Sequence, residues 1–318
     1  MLATCPDSSQ AISRPGSRSR GWIELHLGTR VQISCAASNS PEVEDTIAAA
    51  FAEVGRIHQL MSFHDQDSDV TRLNRHGVRS AVEVDPRTVA VLRAAVAMSR
   101  ATDGLFDVTV AAELVRTGFL PQTPGAAVPD AAASWRDIEI ESDTTVRFHR
   151  SLQIDLGGIA KGYAVDRAFA VCEAAGLVGC VINAGGDIRV GQGAPHLVAL
   201  DVPWHGSGQK PHVELEGGSI ASSCCELPER GESNVAVVHI NGVTRRPAAA
   251  RRFVAVLAKD CMTADALTKS VLLRGEYAAP LLAPRGASAL IHEPDNSWLQ
   301  IPAPGSALSG LPHAASTR

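Results

Sequence analysis

The segment IDLGGIAKGYAVDRAFA, residues 154–170, places side chains that could bind a phosphate where an apolar run becomes a helical pattern. A strand ending at Asp155 and a helix starting near Gly158 would point free backbone N–H groups at an anion, and Gly157 would let that anion approach closely. Lys161 could reach a phosphate, and Asp155 could accept a hydrogen bond from a sugar or a base. The order of residues is neither that of a P-loop nor that of G-x-G-x-x-G. The segment predicts either another type of nucleotide site or a tight turn followed by a solvated lysine.

The segment CMTADALTKSVLLRG, residues 261–275, has a helical pattern with polar side chains on one face. Asp265, Thr268 and Lys269 stand at positions i, i+3 and i+4, which share a helix face. A carboxylate and a hydroxyl are hard oxygen ligands suited to Mg²⁺, an ion that often binds substrate phosphates as well. The pattern fits a magnesium site, and it also fits an ordinary exposed face with an Asp–Lys pair.

Two further segments carry candidate groups. In TDGLFDVTV, residues 102–110, Phe106 and Asp107 could stack on and hydrogen-bond a heterocycle, although a phenylalanine in such a run also suits a core. His239 follows the apolar run VAVV and is a candidate general base, because histidine ordinarily titrates near neutral pH. A histidine at a strand end serves equally well as a packing group.

The elements that must position these residues mix helices with strands. Helical spacing, with Ser40 as a candidate cap and Pro41 at the first helical position, predicts a helix to Met61. Further helices are predicted from Asp85–Pro86 to about Arg100, after the turn at 154–158, and from about Thr263 to Arg274. Residues 62–77 read as a polar segment, and residues 118–134 read as a surface connection rich in Pro, Gly and Ala.

Strand-like runs are spread along the remaining chain, and its second half is rich in them. They are expected at 21–35, 136–140, 144–149, 152–155, 177–183, 188–190, 196–202, 212–223, 235–240, 252–258 and 288–292. Because helices and strands do not alternate regularly, the pattern predicts an α+β fold rather than a doubly wound sheet. We expect a single domain over residues 21–301, with a disordered tail at 1–20 and a loose tail at 302–318.

Charge and composition exclude several classes of protein. The net charge of −5 and the scattered arginines give no footprint for nucleic acid. Seven cysteines without a C-x-x-C pair fit a reducing compartment, and no apolar run is long enough for a signal peptide or a membrane anchor. The sequence therefore predicts a cytoplasmic protein without stable membrane insertion. A longer natural N-terminus with a lipoprotein signal would instead place it, anchored, in the periplasm.

The order of the motifs along the chain is more specific than any one of them. LGTRVQI, MSFHDQDSDVTRLN, TDGLFDVTV, IDLGGIAKGYAVDRA, VINAGGDIRV, SIASSCCE and MTADALTKSVLLRG resemble the successive signatures of the FAD:protein FMN transferase (ApbE) family. The resemblance extends from about residue 22 to residue 293. It implies a flavin-transferase fold with mixed or antiparallel sheets and flanking helices.

The resemblance also implies an activity. A member of this family binds FAD and Mg²⁺, transfers the FMN portion to a threonine of an acceptor protein, and releases AMP, which is protein flavinylation. The alternatives are an FAD pyrophosphatase that gives FMN and AMP, and a non-catalytic flavin-binding or delivery protein. A monomer or a homodimer is expected.

By position in the motifs, the resemblance assigns a set of site residues. His239 and Asp265 are the catalytic candidates. FAD contacts fall on Leu27, His64, Leu105, Phe106, Asp107, Asp155, Lys161 and Ile240. Metal contacts fall on the carbonyl of Gly158 and on Asp265, Thr268 and Lys269.

The chain departs from the family pattern at several of these positions. His64 stands where an aromatic residue, commonly Tyr, is usual. The His-x-Ile-Asp-Pro-x-Thr-Gly segment is shortened to HINGVTRRP, which places Arg245 at the glycine. Lys269 occupies the place of a metal-binding threonine, and a protonated lysine cannot coordinate Mg²⁺.

Overall fold

This computed structural model describes residues 9–12, 20–36, 39–193, 195–203, 210–225, 239–248 and 251–304. The chain forms two compact units. The first comprises Met1–Val54, Lys161–Val237 and Ala249–Arg318, and the second comprises Gly55–Ala160 and Val238–Ala248. Within the described ranges, no helix is both long enough and apolar enough to cross a membrane.

Helices are distributed over both units. In chain order they are α1 (Pro41–Met61), α2 (Asp69–His76), α3 (Pro86–Ala101), α4 (Ala111–Arg116), α5 (Ala160–Ala174), α6 (Cys261–Arg274) and α7 (Ala279–Leu282). Short 3₁₀ turns lie at Val108–Val110, Trp135–Asp137, Gly275–Ala278 and Ala283–Arg285.

The described chain also contains sixteen strands. The first eight are β1 (Ser9–Ile12), β2 (Arg20–His26), β3 (Thr29–Cys35), β4 (Val82–Glu83), β5 (Ile138–Ile140), β6 (Thr145–Phe148), β7 (Val181–Ala184) and β8 (Asp187–Val190). The others are β9 (His196–Leu200), β10 (His212–Leu215), β11 (Gly218–Cys225), β12 (Ile240–Asn241), β13 (Arg246–Pro247), β14 (Arg252–Ala258), β15 (Ser288–His292) and β16 (Trp298–Ile301).

The first unit is built on a long sheet with the strand order β16-β15-β14-β11-β8-β7-β3-β2. Helix α6 packs against β11 and β14 in its middle. A smaller sheet, β1-β9-β10, shares its core, where Val198 and Leu200 cluster with Ile188 and Phe253. Every residue of β15 is buried, so both faces of this strand are covered. All pairings between described strands are antiparallel, and the α+β prediction is confirmed.

A tight turn joins β2 to β3 in the first unit. Leu27 and Gly28, the two turn residues, have φ values of 54° and 72°. Two consecutive left-handed residues match the right-handed twist of a hairpin. The predicted strand run 21–35 is therefore two paired strands, with Trp22 opposite Ile33.

The second unit contains a helix that the sequence pattern does not predict. Residues 62–77, expected to be a polar segment, include α2, which is capped by the Ser68 hydroxyl accepting from the Thr71 N–H at 3.0 Å. Its buried side includes Asp69, whose Oδ2 accepts from the Asp85 N–H at 2.9 Å and from the Thr88 hydroxyl at 2.7 Å. Because polar groups with partners form part of the buried face, apolar spacing does not reveal this helix.

The expected strand at 152–155 is not present. Its backbone is instead held by a side chain, because Asn74 Nδ2 donates to the Ile154 carbonyl at 3.0 Å and Asn74 Oδ1 accepts from the Ile154 N–H at 2.7 Å. The Asp155 N–H donates to the Val108 carbonyl at 2.8 Å. An amide side chain offers the same donor and acceptor as the backbone of a neighbouring strand. Both backbone groups of Ile154 therefore have hydrogen-bond partners without strand pairing.

Other boundaries shift by small amounts. The helix expected near Gly158 begins at Ala160, and α6 begins at Cys261, two residues before the predicted start, with Asp260 as its cap. Helices α1 and α3 and strand β15 lie where they are predicted. Helix α4 and the 3₁₀ turn at Val108–Val110 follow TDGLFD and are not predicted.

Parts of the expected domain plan fall outside the described residues. This holds for residues 1–8, 13–19 and 305–318 of the tails and for residues 235–238 of an expected strand. Within the segment expected to be a disordered tail, β1 pairs with β9. The single domain over residues 21–301 stays a prediction.

The two hydrogen bonds between the Asn74 side chain and the Ile154 backbone should contribute strongly to the stability of the second unit. The variant Asn74→Ala leaves the buried N–H and carbonyl of Ile154 without partners, and we expect the free energy of unfolding to fall by about 2–4 kcal/mol. Urea denaturation followed by circular dichroism measures the change. Gln122→Ala, which removes an exposed amide, is the matched control and should alter stability by less than about 0.5 kcal/mol. Equal stabilities of the two variants would contradict this role.

Candidate active site

Helices α5 and α6 of the first unit approach each other closely at Gly162. A Cβ atom at this position would lie 2.3 Å from the carbonyl oxygen of Cys261 and 2.9 Å from the Cβ of Asp265. The close approach of the two helices lets the Gly162 N–H donate to Oδ2 of Asp265 at 3.2 Å. Only glycine permits this helix crossing, so the glycine of the AKGY motif serves packing and brings α5 to Asp265.

Asp166 of α5 fixes the start of α6. Its Oδ1 accepts from the Cys261 N–H at 2.9 Å, and its Oδ2 accepts from the Met262 N–H at 2.9 Å. Arg189 Nη1 of β8 donates to the same carboxylate at 2.7 Å. These bonds satisfy backbone donors that the first turn of a helix leaves unpaired, and they join α5, α6 and β8. Asp166 was not among the predicted site residues.

Two buried acids and two lysines form what we call the charge cluster: Lys161, Asp187, Asp265 and Lys269. Lys161 Nζ donates to Oδ2 of Asp187 at 2.5 Å. Lys269 Nζ forms a short ion pair with Oδ1 of Asp265 and donates to the backbone carbonyl of the same residue at 3.0 Å. Both carboxylates are almost completely buried, whereas Lys161 and Lys269 keep side-chain exposures of 30% and 15%.

The electrostatics of the charge cluster follow from burial and mutual charge. Burial acts against the charged form of Lys161, but the carboxylates of Asp187 and Asp265 outweigh it and raise the pKa of Lys161. Burial and the charge of Asp265 raise the pKa of Asp187 to about 6. For Asp265 itself, burial is outweighed by Lys269 and Lys161, and its pKa lies below the usual value. The cluster thus holds two ammonium groups against two carboxylates near neutral pH.

Asp187 is the functional candidate that sequence reasoning missed. It follows the glycines of VINAGGDIRV, and Gly185 and Gly186 adopt φ values of 63° and 95° to turn β7 into β8. Its Oδ1 is buried and has no hydrogen-bond partner among the described residues. An acid directly after paired glycines at a strand end was the available signal.

Asp265, Thr268 and Lys269 all lie on α6, but the helix face that carries them is largely buried. The Asp–Lys pair is present and lies in the interior rather than on an exposed face. Thr268 is fully buried, donates its hydroxyl proton to the Asp265 carbonyl at 2.7 Å, and lies 2.9 Å from the Ser223 hydroxyl of β11. Lys161 is likewise not a solvated lysine, because it forms an ion pair with Asp187.

The second unit brings two other predicted segments together. Gly242 lies against the TDGLFD turn, where a Cβ atom would be 2.2 Å from the Gly104 carbonyl oxygen, and its N–H donates to the Leu105 carbonyl at 3.1 Å. The segment HINGVTRRP therefore packs on TDGLFDVTV. Leu105, Phe106 and Ile240 are all buried. His239 is half-buried, and its carbonyl accepts from the Ala248 N–H at 2.7 Å.

Asp107 is engaged by protein groups on both oxygens. Its Oδ1 accepts from the Thr109 N–H and from the Thr109 hydroxyl, each at 2.8 Å, and its Oδ2 accepts from Arg245 Nη2 at 3.0 Å. Arg245 also donates to the Ala133 carbonyl at 3.0 Å. Burial raises the pKa of Asp107, although the Thr109 N–H and Arg245 act against the rise. Arg245, noted from the sequence only as a departure, fastens this loop.

His64 lies in a hydrogen-bonded turn of the second unit. The Ser62 hydroxyl accepts from the N–H groups of His64 and Asp65 at 3.2 and 3.3 Å, and the Ser68 hydroxyl donates to the Ser62 carbonyl at 2.6 Å. The His64 ring is exposed on this turn. It is therefore available to a ligand.

The predicted site residues fall in both units. Leu27, Lys161, Asp265, Thr268 and Lys269 belong to the first unit. His64, Leu105, Phe106, Asp107, Asp155, Gly158, His239 and Ile240 belong to the second. Asp155 and Gly158 are both half-buried.

The donor set around Asp265 does not fit a divalent cation. Lys269 and the Gly162 N–H take one carboxylate oxygen each, and a protonated lysine offers no lone pair. The two ammonium groups also cancel the negative charge that would compensate Mg²⁺ for its lost water. Among the described residues, no group of three or more His, Cys, Asp or Glu side chains could hold a metal ion.

The fold and the site define an α+β protein with a long antiparallel sheet and a charge cluster where two helices cross. The model of the ApbE family matches residues 27–291, and the chain belongs to this family.

Individual relatives agree with this assignment. The FAD:protein FMN transferase of Vibrio cholerae is 30% identical over 239 residues, covering 69% of this chain and 70% of that protein. The FAD:protein FMN transferase of Haemophilus influenzae is 25% identical over 327 residues, covering 94% and 91%. The crystal structure of the ApbE protein from Thermotoga maritima superposes with a TM-score of 0.76 at 27% identity and covers 89% of this chain and 97% of that one.

Titration of Asp187 should be visible in the pH dependence of stability. Because its pKa is raised from 3.8 to about 6, the native state binds this proton more tightly than the unfolded state does. The stability that this group contributes is fully present below pH 3.8 and is lost as the pH rises from 3.8 to about 6. We expect the free energy of unfolding of the wild type to fall relative to that of Asp187→Asn across this window, by at most ~1.4 kcal/mol per pH unit.

Urea denaturation at a series of pH values measures this difference. Asp143→Asn, which alters an exposed acid, is the control and should show no such trend. A difference between wild type and Asp187→Asn that stays flat or grows in favour of the wild type would contradict the raised pKa.

Proposed function

We propose that this protein transfers FMN from FAD to a threonine of an acceptor protein and releases AMP. Membership of the ApbE family and the names of the relatives support the reaction class. The observation that carries the proposal furthest is the charge cluster, because Lys161 and Lys269 are held in place by buried carboxylates while retaining partial exposure. FAD is the substrate, and the acceptor protein is the partner.

The reaction needs positive charge more than covalent chemistry from the protein. The threonine oxygen attacks the phosphorus on the FMN side of the pyrophosphate, and a new P–O bond forms as the bond to the bridging oxygen breaks. The bridging oxygen leaves with its electron pair as part of AMP, and the hydroxyl proton passes to a base. Positioning and neutralisation of the phosphoryl charge supply most of the rate in such transfers.

Residues of this chain have distinct parts in the proposal. Lys161 and Lys269 neutralise the phosphates, and Asp265 is a positioning residue that holds Lys269 through its carboxylate and its carbonyl. His239 is the candidate base that takes the threonine proton. The flavin contacts remain those that the resemblance assigns: Leu27, His64, Leu105, Phe106, Asp107, Asp155, Lys161 and Ile240.

Magnesium has no step in this mechanism. The resemblance implies an ion bound by the Gly158 carbonyl, Asp265, Thr268 and the residue at position 269. The ammonium of Lys269 lies on the Asp265 carboxylate, and the Thr268 hydroxyl donates to the Asp265 carbonyl. The phosphate charge is assigned to the lysines instead.

A cytoplasmic location and a monomeric or homodimeric state are further parts of the proposal. The cysteines within the described residues form no disulfide and are buried, which is compatible with a reducing compartment. Fractionation of cells, followed by a test for disulfides, examines the location. Light scattering of the purified protein gives the oligomeric state.

The transfer itself can be tested with FAD and a purified acceptor protein used by the Vibrio cholerae relative. We expect a fluorescent flavin band that survives denaturation, together with AMP in the supernatant. Lys161→Gln keeps a donor for Asp187 but removes the charge, and it should lower kcat/KM roughly 10²-fold. Lys210→Gln, an exposed lysine paired with Asp201, is the matched control.

The same assay separates the alternatives. FMN and AMP without a labelled acceptor would identify an FAD pyrophosphatase. FAD that remains bound and intact would identify a flavin-binding or delivery protein. Either result would overturn the transfer proposal, and the relative from Vibrio cholerae serves as the positive control for the acceptor.

The role of His239 has a separate test. His239→Ala should lower kcat by roughly 10²-fold or more without changing the affinity for FAD, because a base acts only on the reacting proton. Added imidazole should restore part of the lost rate. His149→Ala, which removes an exposed histidine of the same unit, is the control. An unchanged kcat for His239→Ala would exclude this residue as the base.

A further inference from the structure

The ammonium group of Lys269 contacts one residue, Asp265, at two places. It stands one helical turn after Asp265 on α6, and its Nζ contacts both the carboxylate and the backbone carbonyl of Asp265. An ammonium group has three N–H donors, so one donor remains without a protein partner among the described residues. The side chain keeps 15% of its surface exposed. The ammonium is therefore fixed by the helix and still able to bind an anion.

The local charge balance differs from that of a divalent-cation site. Asp187 and Asp265 carry two negative charges, and Lys161 and Lys269 carry two positive charges. With a neutral side chain at position 269, the same group would carry a net charge of −1, which would favour a metal ion. The lysine removes that excess charge and takes the Asp265 oxygen that a cation would need.

The neighbouring hydroxyl does not restore a metal site. Thr268 directs its proton to the Asp265 carbonyl at 2.7 Å and lies 2.9 Å from the Ser223 hydroxyl. It is fully buried. The hydroxyl that lies nearest in sequence is thus held by protein groups, and Lys269 is the cation that remains beside Asp265.

We propose that the ammonium of Lys269 takes the place of the divalent cation, so that this protein binds the FAD pyrophosphate without a bound metal ion. The inference rests on the proposed function in one respect, namely that the pyrophosphate of FAD is the ligand. The lysine donates its third N–H to a phosphate oxygen, and the second cation is Lys161. The bonds made and broken in the transfer are those given above.

The first test measures metal binding and needs no turnover. Manganese is titrated into the full-length protein, with and without FAD, and the electron paramagnetic resonance signal of free Mn²⁺ is recorded. We expect the wild type to bind no Mn²⁺ beside Asp265, with or without FAD. Lys269→Thr should bind one Mn²⁺ in the presence of FAD at least roughly tenfold more tightly than the wild type does.

The second test measures the affinity for FAD by its fluorescence, with Mg²⁺ or with a chelator. The wild type should bind FAD equally under both conditions, whereas Lys269→Thr should lose roughly tenfold or more in affinity when the chelator is present. Lys269→Gln removes the charge without adding a metal ligand, and it should bind FAD weakly under both conditions. Lys210→Thr is the control for an exposed lysine.

The outcomes distinguish this inference from the proposed function. Metal-independent FAD binding without any transfer would leave the inference intact and overturn the function. Transfer by the wild type that stops on chelation and returns with Mg²⁺ would confirm the function and overturn the inference. One Mn²⁺ bound tightly by the wild type, and no better by Lys269→Thr, would also overturn it. Circular dichroism verifies that each variant is folded.

Discussion

The balance of charge between two buried carboxylates and two lysines is the interaction on which the site of the first unit depends. A buried acid without a partner is very costly, so Asp187 and Asp265 need the positive charges of Lys161 and Lys269. The same ion pairs hold the two lysines in position. The backbone makes this arrangement possible at Gly162, where α5 and α6 come too close for any side chain. The packing of two helices and the electrostatics of the site are thus one constraint.

The second unit is organised by a different device, in which side chains replace backbone ladders. Asn74 supplies both a donor and an acceptor to Ile154, and Arg245 connects Asp107 with the Ala133 carbonyl. Such bonds hold irregular segments as firmly as a sheet does, provided that no buried polar group is left unsatisfied. Outside the short pair β12 and β13, the motif segments of the second unit are therefore held in place without being strands.

Local signals were readable in the sequence, and long-range partners were not. Helix α1 follows from apolar spacing and its candidate cap, helix α6 follows from its helical pattern, and the shared face of Asp265, Thr268 and Lys269 follows from helical geometry. The partner of Lys161 lies 26 residues away, and the partner of Arg245 lies 138 residues away, so no periodicity connects them. Helix α2 was missed because its buried face is partly polar. The order of the motifs identified the family in spite of these gaps, since order does not depend on knowing the contacts.

The central claim is that a lysine, and not a metal ion, stands on the Asp265 carboxylate. A crystal of the wild-type protein grown with FAD and Mn²⁺, measured at the manganese absorption edge, tests it most directly. If Lys269 takes the place of the cation, its Nζ lies within hydrogen-bonding distance of that carboxylate and no anomalous peak appears beside it. An anomalous peak on Asp265, with the Lys269 side chain turned away, would contradict the account.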